Sequence, residues 1–243
     1  MDLINALLFR FKETEKEKQP IYKTFFKGIK TGLEYLYLKI FKFNENFIFR
    51  GGKFNYFYYP YNATWRNERM VEIPIIWKIV KKYKGKNILE FGNVLSHYFS
   101  FEHDVLDKYE KDKGVINKDV IDFEPGKKYD LIVSISTLEH VGFDETKKDS
   151  KKILKAIEKL KECLNEKGKM IITVPFGWNP NLDRFLKEKK IKFTEEYYLK
   201  KISKNKWIET NYEDIKNKEY DKPHSRVDVV VVGVIERKEI MEL

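Results

Sequence analysis

The chain has 243 residues, 42% of them apolar and 15% aromatic, enough to bury a sizeable core and to argue against wholesale disorder. Its formal net charge of +10 permits a nucleic acid, an anionic lipid or an anionic small molecule as partner, yet the lysines are spread along the chain and mixed with glutamates, the pattern of a solvated surface. One cysteine, Cys163, excludes an intrachain disulfide, no Cys/His group has zinc spacing, and no apolar run reaches the roughly 18 residues of a membrane span, so the expected setting is reducing and cytoplasmic, without a metal.

Residues 1 to about 45 read as helical. The start, MDLINALLFRFKETEKEK, opens on an acid and lacks a small-residue cleavage site, which makes it a poor signal peptide. Further on, Tyr22, Phe25, Phe26, Ile29, Leu33, Leu36 and Ile40 recur at three- and four-residue steps, with Lys23, Lys27 and Lys30 on other faces. Such a basic amphipathic helix over residues 20–43 can lie on an anionic membrane surface. The competing expectation is that its apolar stripe packs on the main domain.

Residues 46–70 break regularity with a Gly51-Gly52 turn, Pro60, Asn62 and Asn67, and they crowd aromatic side chains from Phe54 to Trp65. A loop this aromatic either covers a pocket or glues a connecting arm to the core. Residues 1–70 are therefore expected to form a helical and aromatic extension, and residues 71–243 an α/β domain. That domain opens with a helix over 71–84 whose Val71, Ile75, Ile76 and Ile79 point one way.

From Lys86 strands and helices alternate. NILEFG, HDVLDKYE, GVINKDVIDF and YDLIVSIST read as the first four strands, the last apolar and β-branched enough to be buried on both faces of a parallel sheet. SKKILKAIEKLKECLNEKG reads as an amphipathic helix ending at Gly168, and KMIITVPFG as a fifth strand. NLDRFLKEKK starts a helix from an Asn cap, and VDVVVVGVIER is a final central strand. The fold class is α/β, a doubly wound, mostly parallel sheet with an N-terminal extension.

In such a sheet ligands bind beyond the carboxyl ends of the strands, where the order reverses. Gly92 ends the first strand and allows a sharp turn. Asp107 follows the second strand, seventeen residues beyond Glu90, where a carboxylate can take two ribose hydroxyls. Asp119 and Asp122 follow the third and are within reach of an adenine amino group. Glu139 and His140 follow the fourth at the edge of the crevice.

These features, above all KYDLIVSISTLEHVG followed by ILKAIEKLKECLNEKGKMIITVP, resemble the class I S-adenosylmethionine-dependent methyltransferases over roughly Lys86 to Phe176, and more loosely to Arg237. The resemblance implies S-adenosylmethionine as cofactor. Glu90 and Gly92 match the start of the family's glycine-rich loop, Asp107 its ribose acid and Asp119 its adenine-side acid; with Asn93 and Glu139 they make the expected cofactor-binding set. The departure is at Val94 and Ser96, where that loop usually carries glycines. No Asn/Asp-Pro-Pro-aromatic tetrad follows the fourth strand, and Cys163 does not stand in a Pro-Cys turn. What remains is methyl transfer to oxygen or nitrogen of a small-molecule, sugar or lipid-like acceptor, with His140 as base. The alternatives are a non-catalytic binding protein that keeps the fold, or an RNA methyltransferase; nucleic acid is the weaker of the expected partners.

Overall fold

The computed structural model of the protein describes residues 21–217 and 227–237. The expected helical start over residues 1–20 lies outside the described residues. Its elements are helix α1 (Ile21–Phe41), strands β1 (Asn46–Phe49) and β2 (Gly52–Asn55), α2 (Arg69–Val80), β3 (Ile88–Phe91), β4 (Asp104–Leu106), β5 (Val115–Ile116), β6 (Tyr129–Ile135), α3 (Lys152–Glu162), β7 (Leu164–Pro175), α4 (Pro180–Lys187), β8 (Glu195–Ser203), β9 (Lys206–Thr210) and β10 (Val229–Glu236).

Eight strands form one sheet in the order β5-β4-β3-β6-β7-β10-β8-β9. The pairs from β5 to β7 are parallel, and β10 runs antiparallel between β7 and β8. The sheet is thus doubly wound and mostly parallel, as expected, and its order reverses between β3 and β6. Strand alternation divides the apolar residues between two faces. On one face Ile132 and Val231 pack with Ile153, Ile157 and Leu160 of α3 and with Phe185 of α4. On the other, Leu131, Val133 and Ile135 pack under Met70, Ile73 and Ile76 of α2.

Several boundaries differ from expectation for physical reasons. The helix read as ending at Gly168 stops at Glu162, because Leu164 already pairs with Tyr129 as the first residue of β7. The register then jumps to Leu131–Lys169, and Gly168 sits in that irregularity; a Cβ there would lie 2.7 Å from the Tyr129 carbonyl oxygen. The cap of α4 is Asn179, not Asn181: its side chain accepts from the backbone N–H groups of Asn181 and Leu182 at 2.9 and 3.3 Å. The aromatic stretch after Asn46 contains a hairpin, β1–β2, turning at Arg50 and Gly51, and Phe47, Phe49 and Tyr56 join the apolar cluster that holds α2. Residues 195–210 form an antiparallel pair, β8–β9, that the sequence pattern does not mark.

Helix α1 is mounted the opposite way from a core helix. Gly28, Thr31, Gly32, Tyr35 and Leu38 are buried, with Tyr35 and Leu38 against Ala63 and Trp65. Glu34 accepts from Trp65 Nε1 at 3.2 Å and from Arg66 Nη2 at 2.7 Å, which fixes the orientation. The small residues let the helix approach closely, so the broad apolar stripe stays outside. Of that stripe, the side chains of Tyr22 and Phe25 lie outside the described residues. No helix among the described residues is long and apolar enough to cross a membrane.

Candidate functional site

A cavity of about 410 Å³ opens where the sheet order reverses, at the carboxyl ends of β3, β4 and β6. Gly92, Asn93, Asp107, Asp119 and His140 all line it. Glu90 and Glu139 are buried behind its walls, and Asp122, also expected at the adenine end, does not line it.

Strand β3 leaves the sheet at Gly92, whose N–H donates to the Leu106 carbonyl at 2.9 Å. Gly92 has φ +88°, and a Cβ built there would fall 2.1 Å from Thr137 Oγ1. The loop therefore packs on the turn after β6 with no room for a side chain. It does not continue into an α-helix, as a nucleotide-binding β–loop–α unit would, but into a single 3₁₀ turn, Leu95–His97. Its backbone donors from Gly92 to Leu95 are already engaged. The buried Glu90 carboxylate takes the N–H groups of Val94 and Leu95 through Oε1, at 2.9 and 2.6 Å, and His103 Nε2 through Oε2 at 2.9 Å. Glu90 thus ties the loop together from behind.

Asp107 does the same from the front. Its Oδ2 accepts from the Asn93 N–H at 3.2 Å, and its Oδ1 from the N–H groups of Tyr109 and Glu110, each at 2.8 Å. A carboxylate offers about four lone-pair sites, so one remains for a ligand hydroxyl. Asn93 gives its Nδ2 to Glu110 Oε1 at 2.9 Å, while its Oδ1 is buried and has no hydrogen-bond partner. An unmet acceptor on the wall of a cavity calls for a donor from a ligand.

The far end of the cavity is charged. Asp119 Oδ2 accepts from Lys108 and Lys152 at 2.8 and 2.5 Å, and the same two lysines contact Glu145. Burial would raise the Asp119 carboxyl, but the two ammonium groups outweigh it and hold it at about 2. Hydrogen bonding to Asp119 keeps Lys108 charged well above the usual lysine range. Sequence reading missed Lys108, Lys152 and Glu145, since isolated charges in a Lys/Glu-rich chain carry no mark that separates them from surface residues.

The mouth holds His140. Its Nδ1 lies 2.5 Å from Asp144 Oδ2 and its Nε2 3.7 Å from Glu139 Oε1. With the proton on Nδ1 facing Asp144, Nε2 keeps a free lone pair. Behind it stands a buried group that the sequence did not reveal. Arg69 of α2 pairs with Glu72 at 2.8 Å, and Ser136 donates to the other Glu72 oxygen at 2.6 Å from a backbone with φ +38°. Burial pushes the Glu139 carboxyl well above its ordinary value, and burial together with the Glu72 charge lifts Glu68 to about 6. Among the described residues no group of three His, Cys, Asp or Glu side chains could hold a metal ion.

No protein-family model and no curated relative matches the chain. Among solved structures it is similar to the N-methyltransferase NodS from Bradyrhizobium japonicum WM9, at 12% identity over 71% of this chain and 97% of that one with a TM-score of 0.43. It is also similar to TehB from Haemophilus influenzae, at 14% identity over 74% and 65% of the two chains with a TM-score of 0.42. A third is an rRNA methylase from Streptococcus thermophilus, at 12% identity over 66% and 95% with a TM-score of 0.37. Likeness at this level says nothing of this chain's activity.

Proposed function

We propose that the cavity takes S-adenosylmethionine and that the protein is a cytoplasmic enzyme transferring a methyl group to oxygen or nitrogen of a small-molecule, sugar or lipid-like acceptor. The observation that supports this best is the cavity at the sheet's reversal point, which Gly92, Asn93, Asp107, Asp119 and His140 share. Its volume suits a nucleoside-sized ligand, since small-molecule sites run to roughly 300–1,000 Å³. The residues are compatible with the cofactor: Asp107 keeps an acceptor site for a ribose hydroxyl, Asn93 Oδ1 has no partner within the protein, and Asp119, on the charged wall beside Lys108 and Lys152, would face the adenine.

When bound, the cofactor supplies an electrophilic methyl group. The chain's own contribution is placement and proton handling. Val94 and Val141 wall the site and exclude water, the loop held by Glu90 and Asp107 fixes the donor's position, and His140 Nε2 takes the proton that the acceptor gives up. Asp144 holds the imidazole in the tautomer this requires.

The occupied donors at Asn93, Val94 and Leu95 favour one competing reading, a binding protein that retains the fold without catalysis. Methyl-labelled S-adenosylmethionine, offered with separate pools of amines, sugars, fatty acids and RNA, discriminates. Label in a small-molecule pool supports the proposal. Label in RNA alone, lost steeply with salt, supports an RNA methyltransferase. Binding without label in any pool supports the non-catalytic reading.

A further inference from the structure

Helix α1 exposes the wrong face for a soluble helix. Phe26, Leu33, Ile40 and Phe41 keep 66%, 63%, 60% and 69% of their surface in solvent. Ile29, Leu36, Tyr37 and the following Phe43 are exposed beside them. These positions step by three and four residues, so they form one contiguous stripe running the length of the helix. Exposed apolar patches of this extent mark an interaction surface.

The structure assigns this face to an anionic lipid surface, on which α1 lies flat. Charge decides among the occupants. Residues 21–45 carry five lysines, Lys23, Lys27, Lys30, Lys39 and Lys42, against two acids: Glu45, which pairs with Lys42, and Glu34. Glu34 is turned to the body of the protein and held there by Arg66 and Trp65. The stripe itself therefore contains no acidic residue, and exposed Lys30 and Lys39 stand at its borders. A second copy of the chain would bring the same excess of lysines face to face. A lipid surface with negative headgroups neutralises them while the aromatic and aliphatic side chains enter the acyl boundary. The attachment is peripheral, since the helix is not apolar enough to cross.

The mount also links the face to the cavity. Trp65, on which Tyr35 stacks at 5.8 Å, belongs to the same 3₁₀ segment as Tyr61. Tyr61 stacks on His97 at 4.5 Å, and His97 pairs with Glu110 on the cavity wall at 3.2 Å. The inference goes beyond methyl transfer and holds whatever the cavity binds.

The test is sedimentation of the full-length protein with vesicles of phosphatidylcholine alone or mixed with phosphatidylglycerol. The expected result is binding to the mixed vesicles, weaker binding to phosphatidylcholine, and weakening by salt. Leu33→Glu and Ile40→Glu should each reduce partitioning at least about tenfold, since one large apolar side chain is worth that factor. Lys30→Glu should reduce it only for the anionic vesicles. Melting temperatures of all three variants should match the wild type. The inference is overturned by a wild-type protein that stays in the supernatant. It is equally overturned by a dimer in light scattering that the same substitutions dissolve, by binding that appears only after removal of residues 1–20, or by a Leu33→Glu variant that unfolds.

Discussion

Replacing Gly92 with alanine tests how the loop after β3 is held. The residue sits at φ +88°, a conformation that costs an L-residue about 1–2 kcal/mol. The added Cβ would also fall 2.1, 2.7 and 2.9 Å from Oγ1, Cγ2 and Cβ of Thr137. Forcing one methyl into a packed interior costs about 1–3 kcal/mol more. The sum, about 2–5 kcal/mol, lowers the melting temperature of a chain this long by about 4–20 °C. Thr137→Ala removes two of the three colliding atoms and leaves the φ cost untouched. The double variant should therefore recover part of the loss, with a coupling energy of at least about 1 kcal/mol in a double-mutant cycle. Thermal melts followed by circular dichroism supply all four corners of the cycle, and calorimetry with S-adenosylhomocysteine reports whether the displaced loop still binds. A Gly92→Ala protein that melts with the wild type, or two substitutions that add without coupling, would refute the close packing of loop on turn.

Asp107→Ala should weaken S-adenosylmethionine binding by about 1.5–3 kcal/mol, and it should also lower the melting temperature, because three backbone N–H groups lose their acceptor; an unchanged melt with unchanged affinity removes Asp107 from the site. His140→Gln should lower kcat by about 10²- to 10⁴-fold and leave cofactor affinity intact, with Asp144→Asn giving a smaller loss; equal turnover in the His140 variant would reassign the base. The Glu139 carboxyl titrates well above its usual 4.5 in the folded state, so stability drawn from this group is present below that pH and is lost as pH rises toward the folded value. Glu139→Gln should accordingly melt higher than wild type near neutrality and lose that advantage in acid, and parallel pH–stability curves for the two proteins would contradict the shift. Asp119 runs the other way: its carboxyl is held at about 2, so its contribution is present above the usual 3.8 and fades as pH falls toward 2, a dependence that Asp119→Asn should abolish.

The parts of the fold that the sequence made legible are those where pattern and burial coincide. β6 and β10 are runs of β-branched apolar residues, and both are buried on two faces. The periodicity of SKKILKAIEKLKECLNEKG locates α3, and Ile153, Ile157 and Leu160 are buried on its inner face, while Leu154 is only half-buried and Leu164 belongs to β7. The pair β8–β9 stayed hidden because lysines and glutamates interrupt it at a sheet edge, where one side faces water. For α1, periodicity located the stripe but not the side on which the core lies; Gly28, Thr31 and Gly32, which decide that side, look unremarkable in a string of letters. At the site, strand ends placed Gly92, Asn93, Asp107, Asp119 and His140 around one opening because topology fixes where those ends meet. Glu90 was legible as a loop residue but not as the carboxylate that consumes the loop's donors, since that contact depends on a turn too short to form an α-helix.

Calorimetric titration of the full-length protein with S-adenosylmethionine and S-adenosylhomocysteine, in parallel with Asp107→Ala, bears most directly on the proposed cofactor site. The account predicts one site per chain in the wild type and about 10- to 150-fold weaker binding in the variant, the range that a lost hydrogen bond to a charged group converts to. A wild-type protein that binds neither compound, together with a Val94→Gly/Ser96→Gly variant that binds both, would contradict it: the loop between Glu90 and His97 would then be one whose side chains have closed the site.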